Sequence, residues 1–122
     1  MVKKYFLDTY ALIEIIKGNP SYKRYTEEEG HTSLLNLYEL YFQLLRNNGE
    51  GIAKSQFYLF KQLMIEISDN NIFSAAEFKL AEKRKNVSYT DALGYEMAKA
   101  EGLIFLTGDE AFKSLPNVEF VK

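Results

Sequence analysis

Short apolar runs alternate with longer helical patterns along the whole chain, and that alternation restricts the fold more than any other feature. Residues 2–7 read as a strand. Leu12, Ile15 and Ile16 then set a helical spacing over 9–17, which Gly18-Asn19-Pro20 stops. Residues 21–29 are polar and helix-prone, with Tyr22 and Tyr25 on one face. Residues 31–33 predict a second strand, and 34–46 a buried helix closed by Asn47-Asn48-Gly49. A helix over 52–67 carries Phe57, Phe60, Leu63 and Met64. Residues 71–73 predict a third strand, 75–85 and 88–101 helices, 103–106 a fourth strand, and 118–121 a fifth after Pro116. Such an order predicts a three-layer α/β/α sandwich around a central, mostly parallel five-stranded sheet. With no repeat or linker, residues 1–122 read as a single domain.

Against that frame the carboxylates gain meaning, because ligands in open α/β sheets bind at the carboxyl edge of the strands. Asp8 ends the first strand, Glu39 lies early in the helix after the second, Asp91 opens the helix leading into the fourth, and Asp109 follows that strand. Singly, three of them have simpler readings. Asp8 suits an N-cap, Ser88-Tyr89-Thr90-Asp91 fits the S-x-x-[DE] capping box, and Asp109 suits a turn. Glu39 does not, since in LLNLYELYFQLL it is the only charge in an apolar helix, and a buried carboxylate needs a partner. Together, four acids from four segments converging at one edge would repel one another without a divalent cation, and Mg²⁺ or Mn²⁺ prefers hard oxygen ligands.

The residue inventory excludes much else. No cysteine is present, which removes thiol chemistry, and His31 is the only histidine, which removes two-histidine catalysis and multi-imidazole zinc sites. His31, at the start of its predicted strand and away from the acids, reads as structural. Neither G-x-x-x-x-G-K-[ST] nor G-x-G-x-x-G occurs. A formal net charge of -2 argues against holding nucleic acid by global positive charge, but not against gripping phosphates through cations. The run KLAEKRK at 79–85 reads as a solvated helix face in preference to an RNA-contacting patch. Asp8 and Glu14 break up the apolar N-terminal stretch as a leader, and no run reaches the ~18 residues of a membrane span. A cytoplasmic protein with no membrane partner is the expectation. What remains is metal-assisted hydrolysis, which needs no histidine.

Leu7-Asp8-Thr9 after the first strand, Thr32-Ser33 with Glu39, Thr90-Asp91-Ala92-Leu93 opening a helix, and Leu106-Thr107-Gly108-Asp109 after a strand together resemble a PIN-domain ribonuclease, most closely the VapC-type toxins. The resemblance spans essentially the whole chain. It implies a Mg²⁺- or Mn²⁺-dependent endoribonuclease with Asp8, Glu39, Asp91 and Asp109 as metal ligands and Thr9 and Thr107 as supporting hydroxyls. It also implies an RNA substrate, a small antitoxin partner and a homodimer, with the aromatic helices around Tyr41 to Phe60 as candidates for either face. Gly94 departs from the family, where a larger apolar residue is usual, and a close helix crossing would account for it. A housekeeping role in RNA processing is the alternative within the fold. A phospho-receiver-like signalling module is the rival outside it; its phosphorylatable Asp at the end of strand three is missing, since residues 73–74 read Phe-Ser.

Overall fold

The computed structural model describes residues 3–122. Four strands form one sheet in the order β2-β1-β3-β4, every pair parallel: β1 Lys4–Leu7, β2 Glu29–His31, β3 Ile104–Thr107 and β4 Val118–Phe120. The helices are α1 Thr9–Lys17, α2 Leu34–Asn48, α3 Glu50–Lys61, α4 Asp69–Ala81 and α5 Tyr89–Ala100, with 3-10 segments at Pro20–Glu27, Lys83–Lys85 and Glu110–Phe112. Layers and parallel pairing follow the expectation from the sequence; the strand count is four among the described residues, not five.

The third predicted strand is the difference. Residues 71–73 lie inside α4, because Ser68 caps the helix through its side chain and the Asn71 side chain reciprocally accepts the Ser68 N–H. Ile72 and Phe73, whose apolar character suggested a strand, are exposed on that helix. The second strand starts two residues earlier than expected and ends at His31. Beyond it, Thr32 makes a single parallel bridge to Met64, in a stretch expected to be helical. Helix α3 stops at Lys61, so that Leu63 O can accept from Thr32 N and Ile65 N can donate to Thr32 O. Residue 2, the first of the predicted strand one, lies outside the described residues.

Alternation along the strands divides the core in two. Tyr5, Leu7 and Leu106 face one layer, where α1, the 3-10 segment and α2 supply Leu12, Tyr22, Tyr25, Leu37 and Leu40. Phe6 and Phe105 face the other, where α4, α5 and the last 3-10 turn supply Ala75, Tyr95, Met97 and Phe112. Aromatic rings knit this second layer, with Tyr95 edge-on to Phe105 at 5.6 Å and Phe105 tilted on Phe112 at 4.9 Å. Gly94 answers its departure here: a Cβ would stand 2.7 Å from Phe6 Cε1, so α5 lies directly on a strand aromatic, a close approach to the sheet where a helix crossing was expected. At the far edge, Glu119 of β4 accepts hydrogen bonds from Tyr5 and Tyr25, and the Tyr22 hydroxyl donates to Val121 O at 2.5 Å.

The order 2-1-3-4 reverses direction between β1 and β3. From β1 the chain winds outward to β2, then crosses back to β3 and outward to β4. The crevice at the carboxyl ends of β1 and β3 is therefore the switch point of the sheet, where α/β proteins bind ligands.

Candidate active site

One open cleft of ≈ 690 Å³ at that switch point is lined by six acids, Glu14 and Glu110 together with the four the sequence singles out: Asp8, Glu39, Asp91 and Asp109. Each of these four arrives on a different element. Asp8 follows β1 and N-caps α1, its Oδ1 accepting from Ala11 N at 2.8 Å while Thr107 Oγ1 donates to Oδ2. Asp109 follows β3 and caps the next turn, its Oδ1 accepting from Ala111 N at 3.0 Å and its own N–H donating to Thr107 Oγ1 at 3.0 Å. Asp91 stands in the first turn of α5, whose N-cap Ser88 accepts the Asp91 N–H at 3.1 Å. Glu39 accepts from Thr9 Oγ1 at 2.7 Å, the partner its apolar helix required. Thr9 and Thr107 thus each hold a carboxylate directly. Gly108 is needed between Thr107 and Asp109, because a Cβ there would fall 2.1 Å from Tyr10 Cε1 and 2.6 Å from Val121 O.

Asn36 was not singled out from the sequence. It is fully buried, donates through Nδ2 to Thr9 Oγ1 at 3.1 Å and accepts from Ser33 Oγ at 2.6 Å. A chain of donors thereby runs Ser33, Asn36, Thr9, Glu39. The signal was available: an Asn three residues before a lone Glu shares its helix face.

Electrostatics express the crowding. Asp8 is 2% exposed, and burial pushes its carboxyl up to about 8, against the pull of the Thr107 and Ala11 hydrogen bonds and with added repulsion from Asp91 and Asp109. Asp91 is pushed up to about 6 by burial first, opposed by Ser88 and reinforced by the charges of Asp109 and Glu39. The cleft's basic residues are already engaged, Lys17 with Glu14 at 3.4 Å and Lys122 with Glu110 at 3.6 Å. Among the described residues no three acidic or imidazole groups stand close enough together to hold a metal ion as they are placed. The donor set nonetheless fits a hard divalent cation: all-oxygen, mutually repelling, and open to solvent on one side.

His31 stays outside the cleft. It ends β2, where the sequence put it at a strand's start, and its Nε2 pairs with Glu29 Oε2 at 2.6 Å. The rival signalling arrangement loses its premise, since residues 73–74 are helical and β3, the third strand of the chain, ends in Thr107.

An acid-lined switch-point cleft on a four-stranded parallel sheet defines a class of α/β domains, and comparison places the chain within it. The sequence matches the PIN domain over residues 5–118, and the chain belongs to the PIN-domain family. Its structure is similar to that of a toxin-antitoxin complex from Klebsiella pneumoniae, at 20% identity and TM-score 0.75 over 94% of this chain and 95% of that one. It is also similar to VapBC2 from Rickettsia felis bound to a DNA fragment from its promoter, at 22% identity and TM-score 0.75 over 97% of both chains. Mycobacterium tuberculosis VapC20, a sarcin-ricin loop cleaving toxin, shares 19% identity with TM-score 0.79 over 96% of each chain. At these identities the likeness is one of fold. Comparison with curated proteins finds no match.

Proposed function

We propose that this single domain is a Mg²⁺- or Mn²⁺-dependent endoribonuclease, the toxin of a toxin-antitoxin pair. The observation that carries the reading is Asp8: an acid buried at the switch point, raised to about 8 and repelled by two further acids of the cleft. A protein tolerates that arrangement where a cation relieves it. Asp8, Glu39, Asp91 and Asp109 are the residues that would hold it. When bound, such cations supply Lewis-acid stabilisation at phosphorus and a more acidic water.

The chain's own groups do the positioning. Thr107 fixes the Asp8 carboxylate plane, Thr9 and Asn36 hold the rotamer of Glu39, and Ser88 anchors the turn that presents Asp91. An open cleft admits a phosphodiester inside a longer strand, which suits endonucleolytic attack.

Structural neighbours that are toxin-antitoxin complexes support an antitoxin partner. An exposed apolar groove of ≈ 280 Å³, lined by Leu34, Tyr38, Tyr41, Phe57 and Tyr58 on α2 and α3, is the candidate face for it, or for a second copy in a homodimer. No helix among the described residues is long and apolar enough to cross a membrane, and a cytoplasmic setting, where RNA is the substrate, fits the reading.

The test is cleavage of single-stranded RNA. Activity should require Mg²⁺ or Mn²⁺, stop with chelator, and vanish in Asp8→Asn and Asp91→Asn proteins that retain native circular dichroism. Equal cleavage by wild type and both variants would mark a contaminant and sink the proposal.

A further inference from the structure

Beside the acid cleft lies a second concavity of opposite character, ≈ 340 Å³ in volume, with Lys79, Leu80, Lys83, Asn86 and Tyr89 along its walls. The two clefts meet at the start of α5: Ser88 lines the acidic one, and its neighbours Val87 and Tyr89 line the other. Tyr89 opens the helix that carries Asp91 and is 79% exposed, an unusual place for a large ring to gain nothing from burial. It is nevertheless held. Lys79 Nζ stands 4.7 Å from the ring centroid and donates to Val87 O at 2.5 Å, fixing both the ring and the chain that presents it.

Charge completes the pattern. Between α4 and α5, Lys83, Arg84 and Lys85 form one 3-10 turn, followed by Asn86 in the left-handed region (φ 53°), and Lys83 of this turn shares the concavity wall with Tyr89. None of these three cations takes part in an ion pair among the described residues. The sequence reads this run as a solvated helix face; of the wall, Ala76, Lys79 and Leu80 lie on α4, which ends at Ala81, and Lys83–Lys85 belong to the turn beyond it.

We infer that this concavity is a single-stranded RNA subsite, in which a base next to the scissile phosphate stacks on Tyr89 while Lys83 and Arg84 neutralise the adjoining phosphates. The inference rests on the nuclease reading for its substrate class. An acidic cleft repels a polyanion on approach, so a strand needs cationic purchase elsewhere, and an exposed ring between that purchase and the acids is how sequence-tolerant single-strand sites are built. A protein partner would be served by the apolar cavity of ≈ 250 Å³ that Tyr89 also borders with Leu35, Ile72 and Leu93, but not by three cations that make no ion pair among the described residues in the turn just before it.

The experiment measures affinity and cleavage separately, with a short fluorescent single-stranded RNA. Affinity is read by anisotropy in chelator across a salt series, and KM and kcat are read with Mn²⁺. Tyr89→Ala should weaken binding by roughly five- to a hundred-fold, the worth of one stacked base, and Tyr89→Phe should restore it. Lys83→Ala with Arg84→Ala should flatten the log-log salt dependence by about 1.4, two single-strand phosphate contacts, and raise KM far more than it lowers kcat. Those shifts in affinity would uphold the subsite even if wild type failed to cleave, an outcome that removes only the nuclease reading. Unchanged affinity and KM in every variant of a wild type that cleaves would overturn the subsite and leave the nuclease standing. Loss of a dimer in sedimentation with RNA affinity intact would assign the face to a second copy, and overturn the subsite as well.

Discussion

Removing the charge of Asp8 should make the metal-free protein more stable while abolishing its chemistry. The Asp8 carboxyl is pushed up to about 8 from an ordinary 3.8, a rise of roughly four units, and each unit is worth about 1.36 kcal/mol. The ionised side chain therefore costs the native state at most roughly 5 kcal/mol, a large fraction of a small domain's stability. Because the folded value lies above the unfolded one, the native state binds more protons between about pH 4 and pH 8. Stability from this group is accordingly greatest at low pH, falls as pH rises through that window, and levels off above it. In Asp8→Asn, Oδ1 still accepts from Ala11 N, but the amide faces a Thr107 hydroxyl that donated before and must now accept. One rearranged hydrogen bond returns about 1 kcal/mol of the gain. A net stabilisation of at most about 4 kcal/mol at pH 8 remains, or up to roughly 16 °C in Tm for a chain of this length. The assay is thermal unfolding by circular dichroism in chelator at pH 8 and pH 5, then with Mn²⁺. Asp8→Asn should melt higher at pH 8, the gap should narrow at pH 5, and Mn²⁺ should raise wild type more than the variant. A variant that melts at or below wild type in chelator at pH 8 would refute the reasoning, as would a gap independent of pH.

Other perturbations follow from the same geometry. Asp91→Asn should stabilise in the same sense but less, with its pH dependence confined to about pH 4–6, since that carboxyl is raised only to about 6; a chelator melting series over pH checks it. Asn36→Ala strips the hydrogen bond that orients Thr9 toward Glu39, and should lower Mn²⁺ affinity by about 10- to 100-fold in calorimetry. Gly94→Ala forces a methyl to within 2.7 Å of Phe6 Cε1 and should cost about 1–3 kcal/mol, read as a lower urea midpoint at unchanged slope.

The sequence disclosed the elements that bury a face and hid those that do not. β1, α1, α2 and β3 were legible because Phe6, Leu12, Leu37, Leu40 and Phe105 carry the period of their element into the core. The false strand at 71–73 came from Ile72 and Phe73, which are exposed and so carry no period at all, while Asn71 takes the capping-box position where Glu or Gln is the usual signal. β2 is a three-residue edge strand of Glu29, Gly30 and His31, with no hydrophobic pattern to detect. Within the cleft the acids could be found by their relation to strand ends. Asn36 could not be found that way; its place three residues before Glu39 on one helix face is the only sequence signal, and the hydrogen bond that gives it a role reaches across space to a threonine on another helix.

The capping reading and the site reading of these acids describe the same atoms. Asp8 caps α1 with Oδ1, and Asp109 caps its turn with Oδ1. Glu39 is held through Oε1, which leaves its second oxygen without a protein donor among the described residues. For Asp8 and Asp109 the cap is therefore the device that orients the carboxylate, while the Thr9 hydroxyl holds Glu39 and Ser88 caps the turn that presents Asp91. Asp8 and Asp91 also stand at the N-terminal ends of α1 and α5, where unsatisfied N–H groups and the helix dipole favour negative charge by about 0.3–1 kcal/mol each. That is too little to offset the burial of Asp8, whose carboxyl stays raised to about 8 despite its two hydrogen bonds. The helix ends place the acids, and the remaining repulsion is what a cation would discharge.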